Sequence, residues 1–418
     1  MRLAFVCTEK LPAPAVKGGA IQMMMDGVSP ILAREHQLTI YSVTDELLPD
    51  LETRGSVNYI RFPREQYVTE VARSLKENAY DVVHVFNRPV NVIPFKKASP
   101  SSRFVLSLHN EMFAENKISD SDAKLCVQYV HKITTVSNYI KKTITDRVPE
   151  AKDKVEAIYS GFDPNRYFPI WTARGNSMRE QLRTRYGVNN KKVILFVGRL
   201  SVKKGPHLLI QAMERVLAQH PDAVLVIVGG KWFSDNTVDD YGKSLLKLAE
   251  PYKNQVIFTQ FVPADEIQNY FSMADVFVCS SQWQEPLARV HYEAMAAGVP
   301  VITTNRGGNA EVITHKDNGY IVRDYTSANS FANAINYMLT NKEEASAMAV
   351  RGRQLVDSKF TFGHVSDRLN KIYMGAYSSS PTPLSSASVS KRKSARPLRS
   401  RKNRNSAAGL KRISYRGR

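Results

Sequence analysis

Two glutamates, Glu285 and Glu293, enclose the segment EPLARVHYE, whose residue types suit the binding of a polar ligand. Pro286 is compatible with the first turn of a helix, where the missing N–H of a proline breaks no hydrogen bond. The sequence therefore predicts a helix that begins at this proline and leaves the next three backbone N–H groups available to an anion. These N–H groups belong to Leu287, Ala288 and Arg289.

The two carboxylates would serve different parts of one ligand. Glu285 would lie just before the helix, where its oxygens can accept hydrogen bonds from sugar hydroxyls. Glu293 would follow two turns later, about 80° around the helix axis, within reach of a second group such as a ribose. Acidic side chains on a helix face commonly pair with solvent or lysine. Two acids, a proline and the apolar run AMAAGVPVI in one segment favour a ligand site instead.

A basic segment, FVGRL followed by KKG, connects a predicted strand to a predicted helix and contains Gly198, Arg199 and Lys204. An arginine can fork onto two phosphate oxygens, and a lysine adds a compact positive charge. Both would stabilise a departing diphosphate as its negative charge grows. A solvated basic loop is the ordinary interpretation of a single lysine, but a position at the carboxyl end of a strand favours a ligand.

Two glycine pairs and one histidine also follow predicted strands. Gly18 and Gly19 come after the first strand, and Gly308 belongs to the run NRGGNAE, where backbone N–H groups could close over the same ligand. An ordinary tight turn explains a single glycine pair equally well. No GxGxxG fingerprint is present at these pairs, which argues against a dinucleotide oxidoreductase. His109 ends another strand, although a lone histidine is more commonly structural.

The elements that must position these residues alternate between short Val- and Ile-rich runs and helix-length segments. Such runs are typical of parallel strands buried on both faces, so the alternation predicts doubly wound α/β sheets. About a dozen strands exceed one ordinary sheet and indicate two domains, with a boundary near 163–171, within FDPNRYFPIW. The predicted strands are 3–7, 38–43, 81–86, 104–108, 132–136, 155–158, 193–197, 224–228, 256–259, 276–279, 299–303 and 320–322. The predicted helices include 21–34, 205–219, 265–273, 328–339 and 360–377.

Charge and composition separate a folded body from a tail. The chain has 418 residues, 43% of them hydrophobic, and a formal net charge of +19. Residues 378–418 hold twelve Lys or Arg and no Asp or Glu, which leaves +7 for the rest. This Ser-rich basic tail is predicted to be disordered because it can bury little apolar surface. It would bind polyanions without specificity, and its single aromatic residue, Tyr415, offers no stacking platform for nucleic acid.

Membrane and disulfide classes are disfavoured. No stretch approaches the ~20 consecutive apolar residues of a membrane span, and no secretory signal is expected at the N-terminus. The three cysteines lie far apart without CxxC spacing, which disfavours a metal knuckle or a disulfide framework and suits a reducing compartment.

The motifs resemble the retaining glycosyltransferases of family 4, which have the two-domain GT-B fold. The resemblance covers residues 1–377 and rests on GRL with KKG, on QEPLARVHYEAMAAGVPVITTNRGGNAEVI with its E-x7-E element, and on YSGFDPNRYFP and FTFGHVSDRLNKIY. It implies an acceptor-side domain at 1–165, a nucleotide-sugar-binding domain at 166–359, a crossover helix at 360–377 and the tail at 378–418. TEKLPAPAVKGGAIQ, VHVFNRP, SLHNEMF and SSQWQEPLARVHYEAMAAG most resemble the spore-coat-associated branch of endospore-forming bacteria.

The resemblance also implies site roles, which we take as expectations. Arg199 and Lys204 would hold the donor diphosphate, Glu293 the ribose, and Glu285 the donor sugar at its reacting face. His109 would contact the donor sugar from the first domain. The remaining donor-binding positions are Gly18, Gly19, Gly198, Leu287, Ala288, Arg289 and Gly308. Many relatives have Phe-Gly where this chain has Leu287-Ala288.

The function expected from the resemblance is transfer of a hexosyl or N-acetylhexosaminyl group from a nucleotide-diphosphate sugar, with UDP the favoured base. The acceptor would be a spore-coat or cell-envelope glycan or a protein, and neither an obligatory metal nor another cofactor is expected. Two alternatives are a catalytically silent coat component and a nucleotide-sugar epimerase. The resemblance implies a cytoplasmic protein of the mother cell that can assemble into the coat. The tail would then anchor it to coat proteins or an acidic surface rather than to a specific nucleic acid.

Overall fold

We describe residues 1–230, 238–259, 262–263 and 265–384 from a computed structural model. Residues 1–384 form one compact unit that contains two β-sheets. The predicted disordered tail at 378–418 lies, from residue 385 onward, outside the described residues.

The first sheet has eight described strands in the order β3-β4-β2-β1-β5-β6-β7-β8, and all neighbours are parallel except β3 and β4. The six parallel strands predicted for this half of the chain are present. The hairpin of β3 and β4 was missed because its residues are polar or alternating and lie at the sheet edge, unlike the continuous apolar runs of buried strands. The strands are β1 (Arg2–Val6), β2 (Gln37–Val43), β3 (Leu51–Arg54), β4 (Val57–Phe62), β5 (Val82–Phe86), β6 (Arg103–Leu108), β7 (Val130–Thr135) and β8 (Val155–Ala157).

The second sheet has the order β11-β10-β9-β12-β13-β14, and every described pair of neighbours is parallel. Together the two sheets confirm the predicted pair of doubly wound α/β domains. The strands are β9 (Lys192–Val197), β10 (Ala223–Val228), β11 (Val256–Phe258), β12 (Val276–Cys279), β13 (Val301–Thr304) and β14 (Tyr320–Val322).

Helices cover both sheets. The helices are α1 (Ala20–Leu32), α2 (Tyr67–Glu77), α3 (Pro89–Ala98), α4 (Asp120–Tyr129), α5 (Asn138–Arg147), α6 (Ala173–Arg185), α7 (Pro206–Gln219), α8 (Asp240–Ala249), α9 (Ile267–Ser272), α10 (Val290–Ala296), α11 (Ala328–Thr340), α12 (Lys342–Lys359) and α13 (Phe362–Ser378). Short 3-10 helices cover Pro149–Lys154, Val202–Lys204, Glu250–Tyr252 and Asn309–Glu311. No helix within the described ranges is long and apolar enough to cross a membrane.

The last helix, α13, packs on the first sheet although it follows the second domain in the chain. Leu369 and Tyr373 of α13 are fully buried in the same apolar cluster as Phe5 of β1 and Met25 of α1. The Tyr373 hydroxyl is also 2.6 Å from Nδ1 of the buried His84 in β5. The core of the first domain is therefore completed by the far end of the chain.

The strand order marks one point in each sheet where a ligand fits. The chain leaves β1 towards β2 on one side and later returns to place β5 on the other side, and β9 is flanked by β10 and β12 in the same way. Helices that follow such neighbouring strands lie on opposite faces, which opens a crevice at the carboxyl ends of the strands. The segments after β1, β6, β9, β12 and β13 carry the predicted site residues.

Candidate functional site

Glu285 is held in the loop that follows β12, and its side chain is largely buried. Its Oε2 atom accepts hydrogen bonds from Lys204 Nζ at 2.6 Å, Trp283 Nε1 at 2.8 Å and Ser281 Oγ at 3.0 Å. Burial alone would raise the pKa of Glu285, but the Lys204 charge and these hydrogen bonds hold the pKa below its ordinary value. The side chain is thus an ionised carboxylate fixed through one oxygen.

Lys204 reaches this carboxylate because the loops after β9 and β12 are hydrogen-bonded to each other. Ser280 Oγ donates to the Lys204 carbonyl oxygen at 2.9 Å, and Gln282 N–H donates to the Lys203 carbonyl oxygen at 2.8 Å. Gly205 follows with φ of 69°, and a Cβ there would lie 2.3 Å from the Ser280 carbonyl oxygen. Only glycine allows this approach, so KKG brings the predicted lysine to the predicted glutamate.

The helix predicted to begin at Pro286 begins instead at Val290. We call residues 284–289 the 284–289 loop; it has no regular helical structure. The Ala288 N–H is not available to an anion, because it donates to Asn309 Oδ1 at 3.2 Å. A proline with its fixed φ is compatible with this loop as well as with a helix, so the local sequence did not decide between them.

The glycine pair after β13 supports the 284–289 loop. Gly307 N–H donates to Gln284 Oε1 at 2.7 Å, and Gly308 N–H donates to the Glu285 carbonyl oxygen at 2.8 Å. A Cβ on Gly307 would lie 2.0 Å from that carbonyl oxygen, and one on Gly308 would lie 2.2 Å from the Pro286 carbonyl oxygen. Both N–H groups therefore position the backbone of Glu285, and the predicted contact of Gly308 with a ligand stays a prediction.

Arg289 and Glu293 face the linker between the two domains, residues 158–172, which connects β8 to α6. Arg289 Nη1 donates to Ser160 Oγ at 2.9 Å and to the Gly161 carbonyl oxygen at 3.0 Å. Its Nη2 lies 3.4 Å from Glu293 Oε1. Burial raises the pKa of Glu293 although the Arg289 and Arg166 charges oppose the shift. Among the described residues no hydrogen bond or ion pair joins Glu293 to Glu285 or Lys204. The two glutamates therefore have different partners: Glu285 pairs with Lys204, and Glu293 pairs with Arg289.

His109 follows β6 and is 9% exposed. Asn87 Oδ1 accepts its backbone N–H at 3.0 Å, while its Nε2 is buried and has no hydrogen-bond partner among the described residues. Burial, with a smaller contribution from the Arg289 charge, lowers the pKa of His109 to about 4. The imidazole is therefore neutral at pH 7 and keeps an unsatisfied nitrogen in the first domain, near a cation of the second.

The remaining predicted residues also lie after strands. Gly198 and the half-buried Arg199 follow β9, and a Cβ on the neighbouring Gly229 would lie 2.1 Å from the Gly198 carbonyl oxygen. Gly18 and Gly19 precede α1 with φ of 75° and 103°, conformations that L side chains rarely adopt.

Sequence reasoning missed three residues of this site. Ser281 and Trp283 orient Glu285, and Asn309 holds the Ala288 N–H. The tryptophan two positions before Glu285 was the available signal, whereas Asn309 acts over 21 residues of sequence.

A pH dependence follows from the buried imidazole of His109. As the pH falls below about 6.5, unfolded His109 binds a proton, whereas the folded residue does so only near pH 4. Unfolding is therefore favoured on acidification, by about 2 kcal/mol at pH 5 for this residue. Urea unfolding at pH 7 and pH 5 measures the loss, and His109→Gln should lose about 2 kcal/mol less than the parent protein over this interval. Equal losses in both proteins would contradict the assigned pKa.

Two family descriptions cover most of the described chain. Residues 26–166 match "Glycosyltransferase Family 4", and residues 178–355 match "Glycosyl transferases group 1". Within the described ranges, no group of three or more His, Cys, Asp or Glu side chains could hold a metal ion.

Two Bacillus subtilis (strain 168) proteins are similar over nearly their whole length. YtcC is 55% identical over 373 residues, which are 89% of this chain and 92% of that protein. Spore coat protein SA is 46% identical over 373 residues, 89% of this chain and 99% of that protein.

The fold is shared with solved structures at lower identity. The crystal structure of Anabaena Alr3699/HepE in complex with UDP has a TM-score of 0.72 at 22% identity and covers 90% of this chain and 100% of that one. With two parallel sheets, two family matches and near full-length relatives, the chain belongs to the GT-B glycosyltransferases of family 4, in the branch that contains spore coat protein SA.

Proposed function

We propose that this protein transfers a hexosyl or N-acetylhexosaminyl group from a UDP-sugar to a spore-coat or cell-envelope glycan, with retention of anomeric configuration. The observation that carries the proposal is the ion pair of Lys204 and Glu285. It places an ionised carboxylate and a cation at the carboxyl edge of the second sheet. An unpaired buried charge is destabilising, so buried charges in proteins are usually paired. Ionisable groups with shifted pKa values, such as Glu285, are concentrated at functional sites.

Lys204 would bind the donor diphosphate while its ammonium group remains hydrogen-bonded to Glu285. An ammonium group has three N–H donors, and the Glu285 contact uses one of them. Arg199, which follows β9, would supply a second cation for the diphosphate. Since the charge on the leaving diphosphate grows as the glycosidic bond breaks, both cations would stabilise the transition state more than the bound donor.

Glu285 would orient the donor sugar. Its Oε2 is occupied by three donors, and no partner for Oε1 is found among the described residues, so Oε1 can accept a hydrogen bond from a sugar hydroxyl. His109 Nε2 would contact the same sugar from the first domain, since a buried ring nitrogen without a partner gains most from a ligand hydroxyl. Two fixed contacts from two domains would also exclude water from the reacting carbon.

Glu293 and the backbone of the 284–289 loop enter the proposal differently. Glu293 would bind the donor ribose only if it exchanged its contact with Arg289 for a ribose hydroxyl. Leu287 and Ala288 are buried, and they would shape the wall beside the sugar. Gly18 and Gly19 would allow the loop after β1 to approach the donor closely.

Two relatives support the chosen donor and setting. A crystal structure of Anabaena Alr3699/HepE, which shares the fold, is in complex with UDP-glucose. The name of spore coat protein SA supports a coat glycan as acceptor. The same name favours a second candidate, a coat component without turnover, for which the site would bind a nucleotide sugar but not release the sugar.

A panel of sugar nucleotides tests the proposal. UDP-, GDP- and ADP-sugars are added separately, and thermal unfolding and release of free nucleoside diphosphate are measured. We expect one UDP-sugar to stabilise the protein by about 2.7 kcal/mol at a hundredfold excess over its dissociation constant and to be slowly hydrolysed. Stabilisation without hydrolysis or transfer would favour the silent coat component, release of an epimerised sugar nucleotide would favour an epimerase, and no stabilisation by any member would overturn the proposal.

A further inference from the structure

Glu311 connects the two domains at a position that the proposed reaction does not use. It ends the 3-10 helix Asn309–Glu311, after β13 of the second sheet. Its carboxylate accepts the backbone N–H groups of Asn138 and Tyr139, both at 2.7 Å, and the hydroxyl of Tyr159 at 2.7 Å. Asn138 and Tyr139 are the first two residues of α5 in the first domain.

The N-terminus of α5, which Glu311 binds, is well suited to a carboxylate. The first N–H groups of a helix have no partner within the helix, and the helix dipole favours negative charge there. Ser137 caps the same helix through the Ile140 N–H, so Glu311 takes two of the donors that Ser137 leaves. Tyr159 belongs to the linker and donates from a third direction, while Asn138 Nδ2 donates to the Tyr159 oxygen at 2.8 Å. The donors to Glu311 found in the described part of the chain all come from outside the second sheet.

The segment that carries Glu311 also positions the 284–289 loop. We call residues 307–311 the 307–311 segment. Gly307 N–H and Gly308 N–H donate to Gln284 and to the Glu285 carbonyl oxygen, and Asn309 Oδ1 accepts the Ala288 N–H. Gly308 also packs against Ser137 of the first domain, where a Cβ would lie 2.7 Å from the Ser137 Cβ.

We propose that Glu311 is a positioning residue that couples approach of the two domains to the placement of Glu285. One end of the 307–311 segment holds the backbone of the 284–289 loop, and its other end binds the N-terminus of α5. Contact between the domains therefore fixes Glu285 and its oxygen Oε1 when His109 of the first domain is in place. This inference rests on the proposed function for its kinetic consequence, but the contact between domains stands without it.

Distances between spin labels test the coupling directly. The native Cys7, Cys126 and Cys279 are buried, so labels can be attached to Glu150→Cys in the first domain and Asp240→Cys in the second, both at exposed positions. We expect Glu311→Ala to add a population at longer distance, because three hydrogen bonds to one carboxylate are lost. Glu343→Gln, an exposed change in the first turn of α12, is the matched control and should leave the distribution unchanged.

Kinetics separate positioning from a general structural role. Glu311→Ala should lower kcat/KM for the donor by about 10- to 100-fold, the effect expected when a reacting group is misplaced by about 1 Å. The dissociation constant of UDP should stay within twofold, since the proposed diphosphate ligands Arg199 and Lys204 both belong to the second domain. Glu311→Asp, which keeps the charge on a shorter side chain, should recover part of the activity.

Each outcome bears on the proposal. An unchanged distance distribution in Glu311→Ala overturns it, and so does a loss of UDP affinity equal to the loss of kcat/KM, because Glu311 would then only support the fold of the site. If the parent protein turns over no sugar nucleotide, the proposed function fails and the distance distribution alone decides the coupling.

Discussion

Glu285→Ala is expected to lower transfer about 1,000-fold, the upper range for removing one preorganised electrostatic contact. The variant loses the carboxylate that would orient the donor sugar and leaves Lys204 without its partner. Its fold should persist because the hydrogen bonds from Gly308 to residue 285 and from Ala288 to Asn309 involve backbone or other side chains. The initial rate of sugar transfer, with circular dichroism as a check on folding, measures the effect.

Lys204→Ala removes the other member of the ion pair and should differ from Glu285→Ala in its free energy of unfolding. It would remove transfer equally, but it leaves the buried Glu285 carboxylate with Trp283 and Ser281 as its partners among the described residues. Breaking a buried pair by removing one partner costs about 3 kcal/mol, so urea unfolding should show this loss. Lys243→Ala is the matched control, since Lys243 is exposed and pairs with an exposed aspartate. Transfer near the parent rate by both Glu285→Ala and Lys204→Ala would disprove the site assignment.

Gly307→Ala is expected to cause the second large effect. The new Cβ would lie 2.0 Å from the Glu285 carbonyl oxygen, and the residue would keep a φ of 56°. A left-handed conformation costs about 1–2 kcal/mol for a residue with a Cβ, and overpacking adds about 1–3 kcal/mol. The backbone of Glu285 must shift to relieve the contact, so transfer should fall about 100-fold.

The matched control for Gly307→Ala separates strain from contact. Gly187 has a φ of 67°, and a Cβ there would meet nothing within 4 Å. Gly187→Ala should therefore lose only about 1–2 kcal/mol of stability and keep its transfer rate. Urea unfolding and initial rates on both variants measure the difference. Full activity in Gly307→Ala would show that the Gly307 contact does not position Glu285.

The sequence predicted the buried strands well because burial on both faces leaves a local pattern. Val224–Val228 lies within a run of six apolar residues, and β10 is buried throughout. The hairpin of β3 and β4 carries no such pattern, since its residues alternate in exposure or face solvent. The formation of a strand that is buried on only one face depends on its neighbours in the sheet as much as on its own residues.

The candidate site was predicted by residue type but not by contact. Loop positions after parallel strands favoured Glu285 and Lys204, because such loops meet at one edge of a sheet, whereas His109 was selected through the family resemblance. The start of α10 was wrong, since the Ala288 N–H finds its acceptor 21 residues later, in Asn309. Glu311 was not selected because its partner Asn138 lies 173 residues away, and no local pattern reports such a pairing.

The packing of α13 on the first sheet has a consequence for biosynthesis. Leu369 and Tyr373 complete the apolar core around Phe5, so the first domain lacks part of its interior until the helix emerges from the ribosome. Domains usually fold in the order of their synthesis. Here the first sheet is synthesised first, but the surface that receives α13 stays uncovered until the end of synthesis. The strands of the second domain are contiguous in the chain, so that domain can complete its own core earlier. The nascent first domain therefore exposes apolar surface that a chaperone could cover until α13 has been made.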